Sequence, residues 1–217
     1  IDLNNRLNVY GSRHSNAVWQ FHSEILINKN IRISNNILID EFVIDKDINP
    51  EKENGTAYSL RCSYATPFSK GRIMSSYISF IKVGTPTFRH INGTNNFVQR
   101  GRPLGWEYGS DSRNLSIGIN YFNYGRSILS LIFGVSEIGE ETIINRNYDP
   151  YFDYQGGAFP SGNVNKTFFI KSQISYEWRN NFSISINASW ENLINTNKDG
   201  KILHFSLDWL LPYSFNS

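Results

Sequence analysis

The segment FFIKSQISYEWRNNFSISINASWE (residues 168–191) consists of two runs in which apolar and polar residues alternate, separated by Asn180-Asn181. The apolar residues are Phe168, Ile170, Ile174, Tyr176 and Trp178 in the first run and Phe182, Ile184, Ile186, Ala188 and Trp190 in the second. A period of two places alternate side chains on opposite faces of a β-strand. The segment therefore predicts a hairpin of two strands, each with one apolar and one polar face.

The same alternation recurs along the chain without a competing helical period. It is clear over residues 115–121, 129–136 and 203–215. Less regular strands are predicted near 2–12, 16–28, 36–45, 56–66 and 72–83. Together these make about ten strands, each near the length that a tilted strand requires to cross a bilayer. The sequence predicts an all-β, antiparallel chain with a single domain over residues 1–217.

The lengths of the predicted connections alternate between short and long. The short connections are 67–71, 123–126 and 180–181, and the longer ones are 46–55, 84–111, 137–165 and 192–200. Outer-membrane barrels have short periplasmic turns and longer extracellular loops, whereas Greek-key sandwiches have no reason to alternate in this way. The pattern favours a transmembrane β-barrel with 84–111 and 137–165 outside the cell.

Composition restricts the possible classes of function. The formal net charge is +2, which gives no indication of a nucleic-acid partner. Cys62 is the one cysteine, so no internal disulfide is possible. Aromatic residues make up 15% of the chain, a content that suits a membrane interface and also occurs in soluble β-sandwiches. We expect a location in the bacterial outer membrane with lipid as a partner, and the sandwich remains an alternative.

The sequence contains no recognisable catalytic or metal-binding constellation. The pair His204-x-Ser206 has the spacing found on one strand face of outer-membrane phospholipases. Here Leu203 and Phe205 occupy the lipid-facing register, so His204 and Ser206 are predicted to face the barrel lumen. We expect a protein that is not an enzyme and has no cofactor and no metal.

The most distinctive stretch is QRGRPLGWEYGSDS (residues 99–112). Its glycines recur at a spacing of four, which predicts positive φ angles in a folded loop. Aromatic faces stack on sugar rings, and arginine and acidic side chains bind carboxylates and hydroxyls. The candidate polysaccharide-binding residues are Arg100, Arg102, Trp106, Glu107, Tyr108 and Asp111. The alternative is that arginine–aspartate and tryptophan contacts lock this loop over the barrel mouth.

A second candidate site is the acidic strand DEFVID (residues 40–45). Glu41 and Asp45 are predicted to share one strand face, where they could bind an ion or sugar hydroxyls in the lumen. Alternatively, this acidic pair is neutralised by lumen cations, since an unpaired buried charge is costly. The candidate cations are Arg61, Lys171 and Arg179.

The end of the chain resembles the terminal motif of outer-membrane proteins. Trp209, Leu211, Tyr213 and Phe215 alternate along the last predicted strand, although Pro212 interrupts it and Asn216-Ser217 follow Phe215. Proline removes a ladder donor and is tolerated at a sheet edge or a strand end. A chance amphipathic edge strand is the alternative explanation.

A family resemblance rests on RGRPLGxxxGSDS (residues 100–112) and the following strand, Leu115–Ile119. Together with the acidic strand, these residues resemble signatures of the capsule assembly (Wzi-type) outer-membrane proteins over roughly 36–215. The resemblance implies a barrel of about eighteen strands, of which this chain would be the C-terminal portion. It also implies a lectin that attaches capsular or extracellular polysaccharide to the cell. A porin-like channel for small solutes is the alternative, and the oligomeric state stays open.

Overall fold

The computed structural model describes residues 18–41, 53–90, 92–124, 126–149, 157–178, 182–194 and 200–210. The strands in these ranges are β1 (Trp19–Leu26), β2 (Ile31–Glu41), β3 (Gly55–Ser69), β4 (Arg72–Val83), β5 (Val98–Gln99), β6 (Arg102–Pro103), β7 (Ser112–Asn123), β8 (Ser127–Ile138), β9 (Asn165–Trp178), β10 (Phe182–Ile194) and β11 (Gly200–Leu210). A short 3-10 turn occupies Gly93–Asn95. The described part contains no helix long and apolar enough to cross a membrane. The all-β prediction is confirmed.

Nine strands form one antiparallel sheet in the order β1-β2-β3-β4-β7-β8-β9-β10-β11. The prediction of antiparallel neighbours in chain order is therefore confirmed. The described strands do not close into a barrel, because β1 and β11 are the two edges of the sheet. The predicted strand at 2–12 lies outside the described residues, as do Leu211 to Phe215 of the terminal motif.

The connections follow the predicted alternation. Those at one end of the sheet are 27–30, 70–71, 124–126 and 179–181, and we call this the turn end. Those at the other end are 42–54, 84–111, 139–164 and 195–199, and we call this the loop end. The sequence missed the small β5–β6 hairpin inside 84–111, and it placed the start of β2 five residues too late, at 36 instead of 31.

Strand register assigns the side chains to two contrasting faces. One cross-strand row contains Ile25, Ile33, Cys62, Ile78, Ile117, Phe133, Ile170, Trp190 and Leu203. We call the face that carries this row the apolar face, and much of it is exposed, with Ile117 50% and Leu203 77% accessible. A soluble sandwich would cover such a face with a second sheet, and the only other sheet among the described strands is the two-stranded β5–β6 hairpin.

The opposite, polar face carries a groove of about 550 Å³ along β8–β11. His204 and Ser206 line it, as predicted, together with polar side chains that include Lys171 and Glu191. Farther across this face, the Tyr77 ring lies over Gly118 and the Phe169 ring lies over Gly134. A Cβ atom at either glycine would collide with the ring, which explains why glycine interrupts both strands.

The packed core lies at the loop end of the sheet. It is formed by Ala57, Val83, Phe88 and Ile143, with Leu38, Ile81, Phe97, Val98 and Trp106 packed around them. Strand ends and the two long connections both contribute to this cluster. The connections are thus held by apolar burial, the dominant favourable term in folding.

Candidate functional site

The two long connections pack against each other and form one body. We call the described parts of 84–111 and 139–164 the loop unit. It is held by the apolar core and by hydrogen bonds that join the two connections at several separate points. All six candidate polysaccharide-binding residues belong to it.

Asp111 is the most connected residue of the loop unit. Its side chain is fully buried, and Oδ1 accepts hydrogen bonds from Thr85 Oγ1 (2.9 Å) and the Ser161 N–H (3.0 Å). Oδ2 accepts from Ser161 Oγ (2.5 Å) and the Glu141 N–H (3.2 Å). Its backbone, at φ 53°, accepts from the Gly139 N–H. One carboxylate therefore joins three chain segments, and its oxygens are engaged within the protein.

A charged cluster joins the two connections at a second point. The buried Arg89 Nη1 donates to Glu141 Oε2 at 3.0 Å, and Arg146 Nη1 donates to both Glu141 oxygens at 2.6 Å. Partial burial raises the pKa of Glu141, but hydrogen bonds from both arginines outweigh it, so the pKa lies below its usual value. Hydrogen bonds to Asp149 and then to Glu141 raise the pKa of Arg146. Glu141 is thereby held as a carboxylate.

Asparagine side chains make a third connection, at both the base and the turn of the β5–β6 hairpin. Asn96 Nδ2 donates to the carbonyl oxygens of Asn147 (3.1 Å) and Asp149 (3.0 Å). Asn147 Nδ2 in turn donates to the Gly101 carbonyl oxygen, and the Gly101 N–H donates to the Tyr148 hydroxyl. These bonds fix the hairpin to the second connection.

The hairpin presents Arg100 at its tip. Arg100 and Gly101 both have positive φ (52° and 75°), as a two-residue type I′ turn requires. Glycine adopts this conformation readily, whereas arginine does so at a steric cost. The predicted positive φ angles of Gly101, Gly105 and Gly109 are confirmed. Strand pairing places Arg102 opposite Gln99, and Arg102 and the turn residue Arg100 are both exposed.

Trp106 and Tyr108, farther along the same segment, form an aromatic pair. Their ring centroids are 5.3 Å apart with an edge-to-face angle of 77°. Trp106 also packs on the apolar core, and its buried indole N–H has no hydrogen-bond partner among the described residues. Burial, followed by the charges of Glu107 and Glu191, raises the pKa of Tyr108 to about 12. Tyr108 is thus a neutral hydroxyl at physiological pH.

The structure divides the six candidates into two groups. Arg100, Arg102 and Glu107 are exposed and make no ion pair with another described residue. Trp106 and Tyr108 are half-buried, and Asp111 belongs to the interior of the loop unit. The contacts of Asp111 are those of a residue that holds the loop in place, which was the alternative to sugar binding. The other five remain candidates for binding.

The acidic pair is described only in part. Glu41 is the last residue of β2 and pairs with Gly55, and Asp45 lies outside the described residues. Asp40, which precedes Glu41, accepts a hydrogen bond from the Phe88 N–H at 2.5 Å. This bond joins the end of β2 to the loop unit. No group of three or more metal-ligating side chains occurs in the described ranges.

The proposed partner cations make other contacts on the polar face. Arg61 lies 3.7 Å from the Tyr77 ring centroid, and Lys171 lies 5.1 Å from that of Phe169. Arg179 lies outside the described residues. Pairing of these cations with Glu41 and Asp45 stays a prediction.

Replacing Asp111 by asparagine should open the loop unit. The amide removes the charge and presents a donor to groups that themselves donate. We therefore expect the free energy of unfolding of the loop unit to fall by about 2–3 kcal/mol. Hydrogen exchange of the Glu141 and Ser161 amides should accelerate about 30- to 160-fold. Asp149→Asn is the control, because Asp149 is exposed and its ion pair with Arg146 is worth less than about 1 kcal/mol. Equal effects of the two substitutions would contradict the role of Asp111.

Acidification should loosen the charged cluster. Because the pKa of Glu141 is lowered in the folded state, its stabilisation is present above the ordinary glutamate pKa and is lost as pH falls through the lowered value. Proteolysis within 139–149 by an acid-active protease should therefore increase below about pH 4.3. Glu141→Gln should flatten this dependence, whereas the exposed Glu107→Gln should retain it. An unchanged profile in Glu141→Gln would refute the assignment.

Comparisons with protein-family models, with curated proteins and with solved structures found no match. The similarity to capsule assembly proteins therefore stays a prediction that rests on residues 100–112 and the following strand.

Proposed function

We propose that this chain forms part of the wall of an outer-membrane β-barrel whose loop unit binds polysaccharide outside the cell. The observation that carries the proposal is the single-layer sheet, with an exposed apolar face opposite a polar one. The apolar face suits contact with lipid, and the polar face suits contact with water inside a barrel.

The height of the apolar face agrees with a bilayer. On β7 the side chains of this face between Arg113 and Asn123 are Leu115, Ile117, Ile119 and Tyr121. Ten residues of strand span about 33 Å, which becomes about 25 Å at the tilt of roughly 40° usual in such barrels. This is the height of the apolar band of an outer-membrane barrel.

Aromatic residues border the apolar face at both ends. Phe21 and Tyr58 lie in the cross-strand row of Lys82 at the loop end. Tyr176 and Trp209 share a row at the turn end. All four rings are exposed, with accessibilities between 43% and 65%. The amphipathic rings of Tyr58, Tyr176 and Trp209 at these two levels suit the two headgroup layers.

A membrane location also requires more strands than the described ones. The open edges of β1 and β11 carry backbone groups that lipid cannot satisfy. Further strands that join these edges would complete the wall, in agreement with the larger barrel that the family resemblance implies. Closure of the barrel is part of the proposal.

The loop unit supports polysaccharide binding. Its hairpin holds Arg100 and Arg102 in solvent, and the same segment carries the Trp106–Tyr108 pair, with Glu107 exposed between the two rings in sequence. Arginine binds carboxylates of acidic sugars in bidentate fashion, and aromatic faces pack on sugar rings. An acidic polysaccharide is the ligand that this combination fits best.

A solute channel is the second candidate. The polar groove along β8–β11 favours it, since its lining of lysine, glutamate, histidine, serine and amide side chains would hydrate a pore. The loop unit argues for the first candidate, because its residues Phe88 and Ile143 pack against Ala57 and Val83, whose side chains lie on the polar face. The loops therefore lean over the polar face.

An arginine on the apolar face should prevent stable insertion. Ile117→Arg should lower the free energy of unfolding in phosphatidylcholine vesicles by about 2–4 kcal/mol, because the charge would lie at the bilayer midplane. Ser130→Arg on the polar face is the control and should change it by less than about 0.5 kcal/mol. Urea titration followed by tryptophan fluorescence measures both. A stable fold in water without detergent, with both variants equal, would overturn the membrane location.

Loss of the exposed arginines should weaken polysaccharide binding. Arg100→Ala with Arg102→Ala should reduce retention of polygalacturonate by the detergent-solubilised protein at least about ten-fold, since two charge-assisted contacts are removed. Arg126→Ala, at the turn end, is the control and should leave retention unchanged. Strong conductance in planar bilayers without polygalacturonate retention would contradict polysaccharide binding and support the solute channel.

A further inference from the structure

A row of charged side chains crosses the sheet at the loop-end border of the apolar face. Cross-strand pairing aligns Lys82, Arg113, Glu137 and Lys166 on β4, β7, β8 and β9. We call these four residues the basic row. The next row toward the turn end contains Phe80, Leu115, Val135 and Phe168, so about 7 Å of strand separates the charges from the first apolar row.

The basic row has more positive than negative charge. Glu137 lies between Arg113 and Lys166, accepts from Arg113 Nε at 2.5 Å and pairs with Lys166 Nζ at 3.1 Å. Lys82 lies directly opposite Arg113 and makes no ion pair with any described residue. Like charges directly opposite on one face are unfavourable. This pair thus fits an anion from outside the chain.

The side chains are held in place for such a contact. Lys82 Nζ lies 4.2 Å from the Phe159 ring centroid, and Lys166 Nζ lies 5.4 Å from that of Phe168. Glu137 holds the Arg113 guanidinium through two nitrogens, while 46% of the arginine side chain stays exposed. Preorganised cations lose less entropy on binding than free ones.

We propose that the basic row binds the phosphate groups of a phosphorylated glycolipid in the surrounding leaflet. The proposal rests on the membrane location, because only then do the acyl chains of the ligand lie along the apolar face below the charges. A ligand that carries both phosphate groups and acyl chains contacts the row and the apolar face at once, since the two are continuous. A basic residue near an anionic lipid surface contributes a factor of about five in affinity.

Lipid binding by the full chain in neutral maltoside micelles tests the proposal. The ligand is diphosphorylated lipid A, compared with the same lipid after removal of its phosphates, and native mass spectrometry measures the bound fraction. Lys82→Gln with Arg113→Gln should weaken binding of the phosphorylated lipid about 25-fold. Glu137→Gln should strengthen it about five-fold, because it removes the negative charge. Arg61→Gln with Lys171→Gln, on the polar face, is the matched control and should have no effect.

Weaker lipid binding by the Lys82→Gln, Arg113→Gln double variant together with stronger binding by Glu137→Gln excludes a folding defect as the cause. Equal binding of both lipid forms, or unchanged affinity in the basic-row variants, would overturn the proposal. Displacement of the lipid by millimolar inorganic phosphate would also overturn it, because the row would then bind a free anion. Flotation with phosphatidylcholine vesicles is the separate readout. Failure to float there would contradict the membrane location, whereas flotation without phosphate preference contradicts the basic row alone.

Discussion

Strand register is the constraint on which the other features of this molecule depend. Side chains alternate across a strand, so a slip of one residue in any pair would move that strand's apolar set to the opposite face. The observed register avoids this from β1 to β11 and aligns one residue of each strand in the row from Ile25 to Leu203. The same alignment brings Lys82 opposite Arg113 and places the Tyr77 ring over Gly118. The apolar face, the polar groove and the basic row are thus consequences of one pairing pattern.

The loop unit depends on a different constraint, since a polar group is buried at low cost only when it has hydrogen-bond partners. Asp111 is buried because four donors from three chain segments converge on its carboxylate, and an unpartnered buried charge would be far more costly. Gly139 allows this convergence, since a Cβ atom there would collide with the Asp111 carboxylate. The arrangement makes the two long connections one body. Flexible connections of this length would have to lose much more conformational entropy when a ligand binds.

Much of the fold could be predicted from the sequence, whereas most of the site could not. Periodicity reports the face of a strand directly, so the alternating strands, the two ends of the sheet and the direction of His204 were all predictable. The role of Asp111 was not, because its partners Thr85 and Ser161 are 26 and 50 residues away and carry no periodic signal. The β5–β6 hairpin was missed for a related reason. Its turn uses Arg100 where asparagine, aspartate or glycine is the usual signal.

The structure also separates the question of ligand binding from that of barrel closure. The family resemblance implies that this chain is the C-terminal portion of a larger barrel. Arg100, Arg102 and Trp106, however, lie on a body whose apolar core and inter-segment hydrogen bonds come from the strands β2–β4 and from the two long connections. Its core, the Asp111 contacts and the asparagine bonds do not involve the edge strands β1 and β11. The candidate site can therefore be preformed on this part of the sheet, while the complete wall determines whether it is held at a membrane.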